Sequence, residues 1–174
     1  MEKGARAKNF ELAIQWLKDC GLIYKVHRVS KPGIPLKTYE EMSAFKIFMH
    51  DVGILGAMGG LPVSAVVEGN GLFSEFKGAL TEQYVLQQMV SDMGKIPFYF
   101  SEENSRGEID FLIQTENTLL PIEVKAEENL RAKSLRAFTT KYNVSRGARI
   151  SMSDYRKQDW LTNYPLYGFM GIIK

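Results

Sequence analysis

The stretch GEIDFLIQTENTLLPIEVKA, residues 107–126, decides how the rest of the chain is read. Ile, Phe, Leu and Val dominate on either side of a polar turn, which is the composition of two paired strands. Asp110, Glu123 and Lys125 interrupt those apolar runs. Side chains alternate along a strand, so Asp110, Leu112 and Gln114 are expected on one face and Ile109, Phe111 and Ile113 on the other. Glu123 and Lys125 likewise oppose Ile122 and Val124. A turn symmetrical about Glu116 and Asn117 pairs positions whose numbers sum to 233, which sets Asp110 opposite Glu123. Directly opposed Cβ atoms lie about 4.5–5.5 Å apart, and like charges in that relation destabilise a sheet. A raised pKa on one carboxylate, an ion pair with Lys125 or a bound divalent cation would each relieve the repulsion. Mg²⁺ (or Mn²⁺) suits two carboxylates plus waters and a substrate phosphate, which is the setting of hydrolytic nuclease chemistry. A structural carboxylate–lysine pair at a sheet end accounts for the same spacing.

The flanking sequence supplies the elements that would frame this hairpin. Residues 72–93 carry the strongest helical pattern, with Phe76, Leu80, Tyr84 and Met89 among the apolar positions and Gly94 behind it. Strands are expected in PFYFSEE, GEIDFLIQ and LLPIEVKA, a helix over 130–143, and strands in RISMS and LYGFMGII. The order α-β-β-β-α-β-β implies an α/β sandwich around a mixed sheet. Upstream, residues 7–20 form an amphipathic helix closed by Gly21, and LIYKVHRV reads as a strand. A loop with two prolines then leads to the apolar run FKIFMHDVGIL. That helix, strand and basic loop resemble the end of a winged-helix module, and the chain begins as though inside a longer protein. DVGILGAMGGLP reads as a short helix ended by glycines. It lacks the Gly-Lys-Ser/Thr ending of a phosphate loop.

With 174 residues, 45% hydrophobic and 24% charged, the chain falls in the range of a globular domain, and its net charge of +2 selects no partner class. The single cysteine excludes an intramolecular disulfide framework and suits a reducing compartment, so cytoplasm is expected. No run reaches the roughly 18 apolar residues of a membrane span. Cys20, near a helix end, is expected to be a buried small hydrophobe, and His27 and His50 to be structural. Residues 130–149 hold six basic and no acidic residues, which makes Lys133, Arg136 and Lys141 candidates for phosphate contact, against a merely solvated helix face.

Asp110, the Glu123-Val124-Lys125 triplet and a preceding helix with Glu82 resemble the active-site signature of the PD-(D/E)XK nucleases, with Ile109 standing where that signature has proline. The resemblance implies a restriction-endonuclease-like three-layer sandwich in which Asp110, Glu123 and Glu82 bind Mg²⁺ or Mn²⁺, while Lys125, with Asp110 and Glu123, carries the catalysis. GALTEQYVLQQM, GEIDFLI, PIEVKA and KSLRAFTTKYN, with FKIFMHDVGIL upstream, resemble more closely the C-terminal domain, of unknown function, of prokaryotic AAA+-like ATPases. On that resemblance residues 1–45 close a winged-helix-like segment and linker, and residues 46–174 form the nuclease-like domain. DNA becomes the expected substrate or ligand and an ATPase module the expected partner. A catalytically silent module of the same fold, used for interaction, is the alternative.

Overall fold

The computed structural model of the chain describes residues 10–68, 71–102, 107–127 and 132–171. The helix α1, Glu11–Asp19, precedes the strands β1, Ile23–Val29, and β2, Glu40–Met49. Helices α2 (Val52–Met58), α3 (Val63–Glu68) and the long α4 (Gly71–Met93) follow. The strands β3 (Phe98–Ser101), β4 (Glu108–Thr115) and β5 (Thr118–Lys125) lead to α5, Lys133–Lys141. β6 (Gly147–Ser151), β7 (Arg156–Lys157) and β8 (Leu161–Pro165) complete the strands among the described residues. All eight strands join one mixed sheet in the order β2-β1-β3-β4-β5-β6-β8-β7.

Two apolar layers clothe this sheet. On one face Val85, Leu86 and Met89 of α4 pack against Phe111, Ile113, Leu120, Ile122, Val124, Ala148 and Ile150. On the other, Leu135 and Phe138 of α5 pack against Phe100, Ile109, Leu112, Leu119 and Leu161. α5 is the crossover that parallel pairing of β5 with β6 requires. α4 is tied to the far edge by its polar side: Gln83 accepts from Met49 N–H (2.8 Å) and donates to the Met49 carbonyl (2.7 Å). Gln87 accepts from Val52 N–H and donates to Asp51, the residue that caps α2.

The hairpin register follows the sum of 233 from Phe111↔Ile122 to Thr115↔Thr118. Glu116 turns the corner with φ at +37°, in the left-handed region that non-glycine residues seldom enter. Upstream, β1 and β2 extend the same sheet, since β1 runs parallel to β3 through Arg28↔Tyr99.

Several local expectations change. Within the expected strand LYGFMGII, Leu166–Gly171 is a 3₁₀ helix, the strand lies just before it at Leu161–Pro165, and Ile172 and Ile173 lie outside the described residues. Its neighbour β6 pairs with Leu161 to Pro165, which consumes the ladder before the aromatic run begins. Cys20 is exposed, because α1 buries none of its residues and leaves Leu12 and Trp16 in solvent. The described part of that helix starts at Glu11, and the expected first turn before Phe10 lies outside the described residues. His27 is buried beside Glu40 and the Glu41 carbonyl, with burial the main cause of its lowered pKa.

Candidate active site

An irregularity in β4 positions the first acidic residue. Phe98 pairs with Leu112 but Phe100 pairs with Ile109, so two steps along β3 span three along β4. The extra residue is a β-bulge, which re-aims side chains at the point of insertion. Ile109 keeps to the α5 face while Phe111 already belongs to the α4 face. Asp110 lies between them, and its Oδ2 accepts the Val124 N–H at 2.7 Å. A carboxylate thus takes the place of a backbone acceptor just beyond Phe111↔Ile122, where the β4–β5 ladder ends.

Asp110 meets the α4 side of the site. Burial pushes its pKa up, the Glu82 carboxylate pushes it further, and the Val124 N–H, Lys46 and Lys125 pull back less strongly, leaving it at about 7. Glu82 is itself raised, chiefly by burial, with Glu108 adding to the effect and Lys46 and Lys125 opposing it. Lys46, from β2, reaches over the Tyr99 ring, 5.2 Å from its centroid, to Glu108 and to within 3.9 Å of Glu82. Burial disfavours its ammonium form, but the bond to Glu108 and the nearby Glu82 and Asp110 outweigh that, so its pKa is raised.

Glu123 follows a different path. Ile122 and Val124 both enter the core beneath α4, so alternation turns Glu123 toward the face that carries α5. Only 5% of it is exposed. Its Oε1 meets Lys125 Nζ at 2.9 Å, and its Oε2 is buried without a hydrogen-bond partner. Across the parallel ladder it lies beside Arg149, which is buried and donates through Nε to Asn163 Oδ1 at 2.8 Å. Ser151 donates to the same oxygen at 2.8 Å, and Asn163 spends its amide on the Ser153 and Asp154 carbonyls. Burial lowers the Arg149 pKa and Glu123 opposes that shift.

The fold therefore brings Glu82, Asp110 and Lys125 into electrostatic reach of one another and joins Glu123 to Lys125. It does not give the shared face expected for Asp110 and Glu123, because the bulge breaks the alternation on which that expectation rested. Among the described residues, no group of three or more His, Cys, Asp or Glu side chains is arranged to hold a metal ion. Lys46, Glu108, Arg149, Ser151 and Asn163 are further members of the neighbourhood. Lys46 between Phe45 and Ile47, and Arg149 between Ala148 and Ile150, carry the signal that singled out Asp110: a charge inside an apolar strand.

Lys133, Arg136 and Lys141 are exposed and line one broad depression with Trp160. The Arg136 guanidinium lies over the Trp160 ring at 4.7 Å, a cation–π arrangement. Lys141 is paired with Glu102 at 2.6 Å, so part of this basic surface is already neutralised.

Residues 1–65 match the family described as Domain of unknown function (DUF8612). No curated protein and no solved structure matches the chain. Residues 77–167, more than half of the sequence, match the Domain of unknown function (DUF4143) and span Glu82, the bulged strand, the hairpin, α5 and β6 to β8. The chain belongs to the DUF4143 family.

Proposed function

We propose that the chain carries a PD-(D/E)XK-type nuclease domain of restriction-endonuclease-like fold, attached in its parent protein to an AAA+-like ATPase module, and that it hydrolyses phosphodiester bonds of DNA in the cytoplasm. The observation that carries this reading is Asp110. Its half-buried carboxylate accepts the Val124 N–H at the bulge and lies within electrostatic reach of Glu82 and Lys125. Structural carboxylates are rarely held in like-charge company with a pKa near 7, whereas groups that handle ions and protons often are. The helix-strand-strand-strand-helix-strand order around it agrees with the same reading.

Mg²⁺ or Mn²⁺ is the cofactor of this reading. Hard oxygen donors suit either ion, and the partnerless Glu123 Oε2 and the crowded Asp110 would both be relieved by a cation. Bound there, the ion would neutralise charge on the phosphate and lower the pKa of a water. On the motif's assignment Asp110, Glu82 and Glu123 would hold it, which requires Glu123 to turn from Lys125 and the α5 face toward Asp110. On this reading Lys125, 38% exposed at the end of β5, would orient the attacking water and stabilise the negative charge as the water oxygen bonds to phosphorus and the sugar oxygen leaves. Lys133, Arg136 and Lys141, with the face of Trp160, offer phosphate contacts and a stacking surface.

One observation favours the silent-module reading. Glu123 is turned toward the face opposite α4 and is engaged with Lys125, while Lys46 already neutralises the Glu82–Glu108 side. The two readings separate in a cleavage assay on single- and double-stranded DNA with Mg²⁺ or Mn²⁺. Nuclease function predicts metal-dependent cutting that falls at least about 100-fold in Asp110→Ala and in Lys125→Ala. DNA binding without cutting, or cutting that both substitutions leave intact, supports the interaction module instead.

A further inference from the structure

Between α2, α3 and α4 lies a cavity of ≈ 710 Å³, within the range of about 300–1,000 Å³ that small-molecule sites occupy. None of its lining residues belongs to the charged cluster around Asp110. Met152 and Leu166 form part of its wall, and they follow directly on Ser151 and Pro165, the last residues of β6 and β8. β5, β6 and β8 run parallel, so the cavity adjoins the carboxyl ends of parallel strands, where α/β sheets receive ligands. α2 turns small residues to it. Gly53 and Gly56 line the cavity, and a Cβ built on Gly56 would meet nothing within 4 Å. On the α3 side, Val63 and Val67 leave most of their apolar surface uncovered.

α4 contributes one stripe of side chains, Lys77, Thr81 and Tyr84, which runs along about 10 Å of helix. Its charge sits at one end. Lys77 is half-buried, is the one charged residue among the described residues that line the cavity, and enters no ion pair among them. The Thr81 hydroxyl is already engaged, since it donates to the Lys77 carbonyl at 2.7 Å.

We propose that this cavity binds a free medium-chain carboxylate, its apolar tail between the helices and its head on the Lys77 ammonium. Charge complementarity fixes the sign of the head, because an ammonium drawn partly out of water beside apolar walls is stabilised by an anion. The rest of the lining fixes the tail. An extended peptide would bring backbone N–H and C=O groups to walls of glycine, valine, leucine and methionine that offer them few partners. An alkyl chain requires no hydrogen bonds there and gains from each methylene removed from water. This site goes beyond the nuclease reading and is independent of it, for it involves neither DNA nor a metal.

Calorimetric titration with hexanoate, octanoate and decanoate, each below its micelle-forming concentration, tests the site. Saturable binding is expected to tighten by about threefold to fourfold for each methylene added. Decanol, which keeps the tail and lacks the charge, should bind about tenfold more weakly than decanoate. Lys77→Met should erase that preference while decanol binding persists. Gly56→Leu should abolish binding of both ligands by filling the cavity, and it should melt no lower than the parent, since the position is open and leucine favours a helix over glycine. Absence of saturable decanoate binding by the parent overturns the proposal, as does undiminished binding by Gly56→Leu. Equal affinity of the parent for decanoate and decanol overturns the role of Lys77 and with it the carboxylate. Binding to phosphatidylglycerol vesicles without binding of free decanoate makes the surface a membrane contact and overturns the proposal. Self-association that Gly56→Leu abolishes, again without decanoate binding, makes it a protein-docking surface and overturns it equally.

Discussion

Asp110 concentrates the physics of the site in one carboxyl group. Burial and Glu82 raise its pKa from 3.8 to about 7. A carboxyl whose folded pKa lies above its unfolded value contributes stability that is fully present below the unfolded pKa and is lost as pH rises through the folded one. Asp110 therefore makes the protein progressively less stable between about pH 4 and pH 7. Asp110→Asn should remove this slope, so that denaturant melts at pH 8 show the variant more stable by on the order of a few kcal/mol, less the altered bond to Val124, while at pH 4 the two proteins converge. Divalent cations, on the proposed function, should stabilise the parent at pH 8 and not the variant. Asp110, Glu123 and Lys125 were legible because each is a charge within an apolar strand, a signal also present at Lys46 and Arg149, whereas Glu82, on α4, entered only through the family resemblance. Their partners were not legible. Arg149 belongs to a basic run of sequence, yet it is buried beneath the sheet's neighbours and donates to Asn163, a contact across strands that no local pattern encodes.

At the scale of the element, periodicity and turn symmetry carried the reading a long way. The helix expected over 72–93 is Gly71–Met93, and the hairpin pairs in the register that its polar turn implied. Both follow from local chemistry: apolar spacing on one helix face, and a two-residue turn that fixes every pair behind it. The bulge at Asp110 escaped because it is a property of β4 against β3, two strands whose mutual register no turn motif in the sequence fixes. The 3₁₀ helix at Leu166–Gly171 escaped because its aromatic composition mimics a strand. α4 also depends on polar ties that apolar spacing does not reveal. Gln83→Ala should cost about 2–4 kcal/mol, since it deletes two hydrogen bonds to Met49 and leaves that residue's N–H and C=O without these partners, and urea denaturation measures it. Gly147→Ala should also destabilise, because a Cβ there would stand 3.0 Å from Leu135 Cγ in a buried contact. Replacing Leu135 with Ala in the same chain should return part of that loss, which a double-mutant cycle resolves.

At the scale of the molecule, the expected break between residues 1–45 and 46–174 meets a sheet that continues through it. β1 and β2 lie in the same eight-stranded sheet as the hairpin, and Val26, Val29, Leu36 and Phe48 contribute to its two apolar layers. Composition could place strands there but not assign them to a sheet, because parallel pairing of β1 with β3 spans a long stretch of chain. A chain lacking residues 1–50 should accordingly expose the edge of β3, lose Lys46 from the site and associate or unfold, which gel filtration and circular dichroism would register. The α/β class and the order of elements from α4 to β6 were readable from sequence. The family match agrees that residues 77–167 form a recognisable unit and leaves their chemistry to the site. That chemistry turns on whether Asp110, Glu82 and Glu123 take up a divalent cation. Calorimetric titration of Mn²⁺ into the protein and into Asp110→Asn at pH 8 tests it most directly. The account predicts saturable binding to a single site that the substitution weakens by about tenfold or more. Equal binding by both proteins, or none by either, would contradict it.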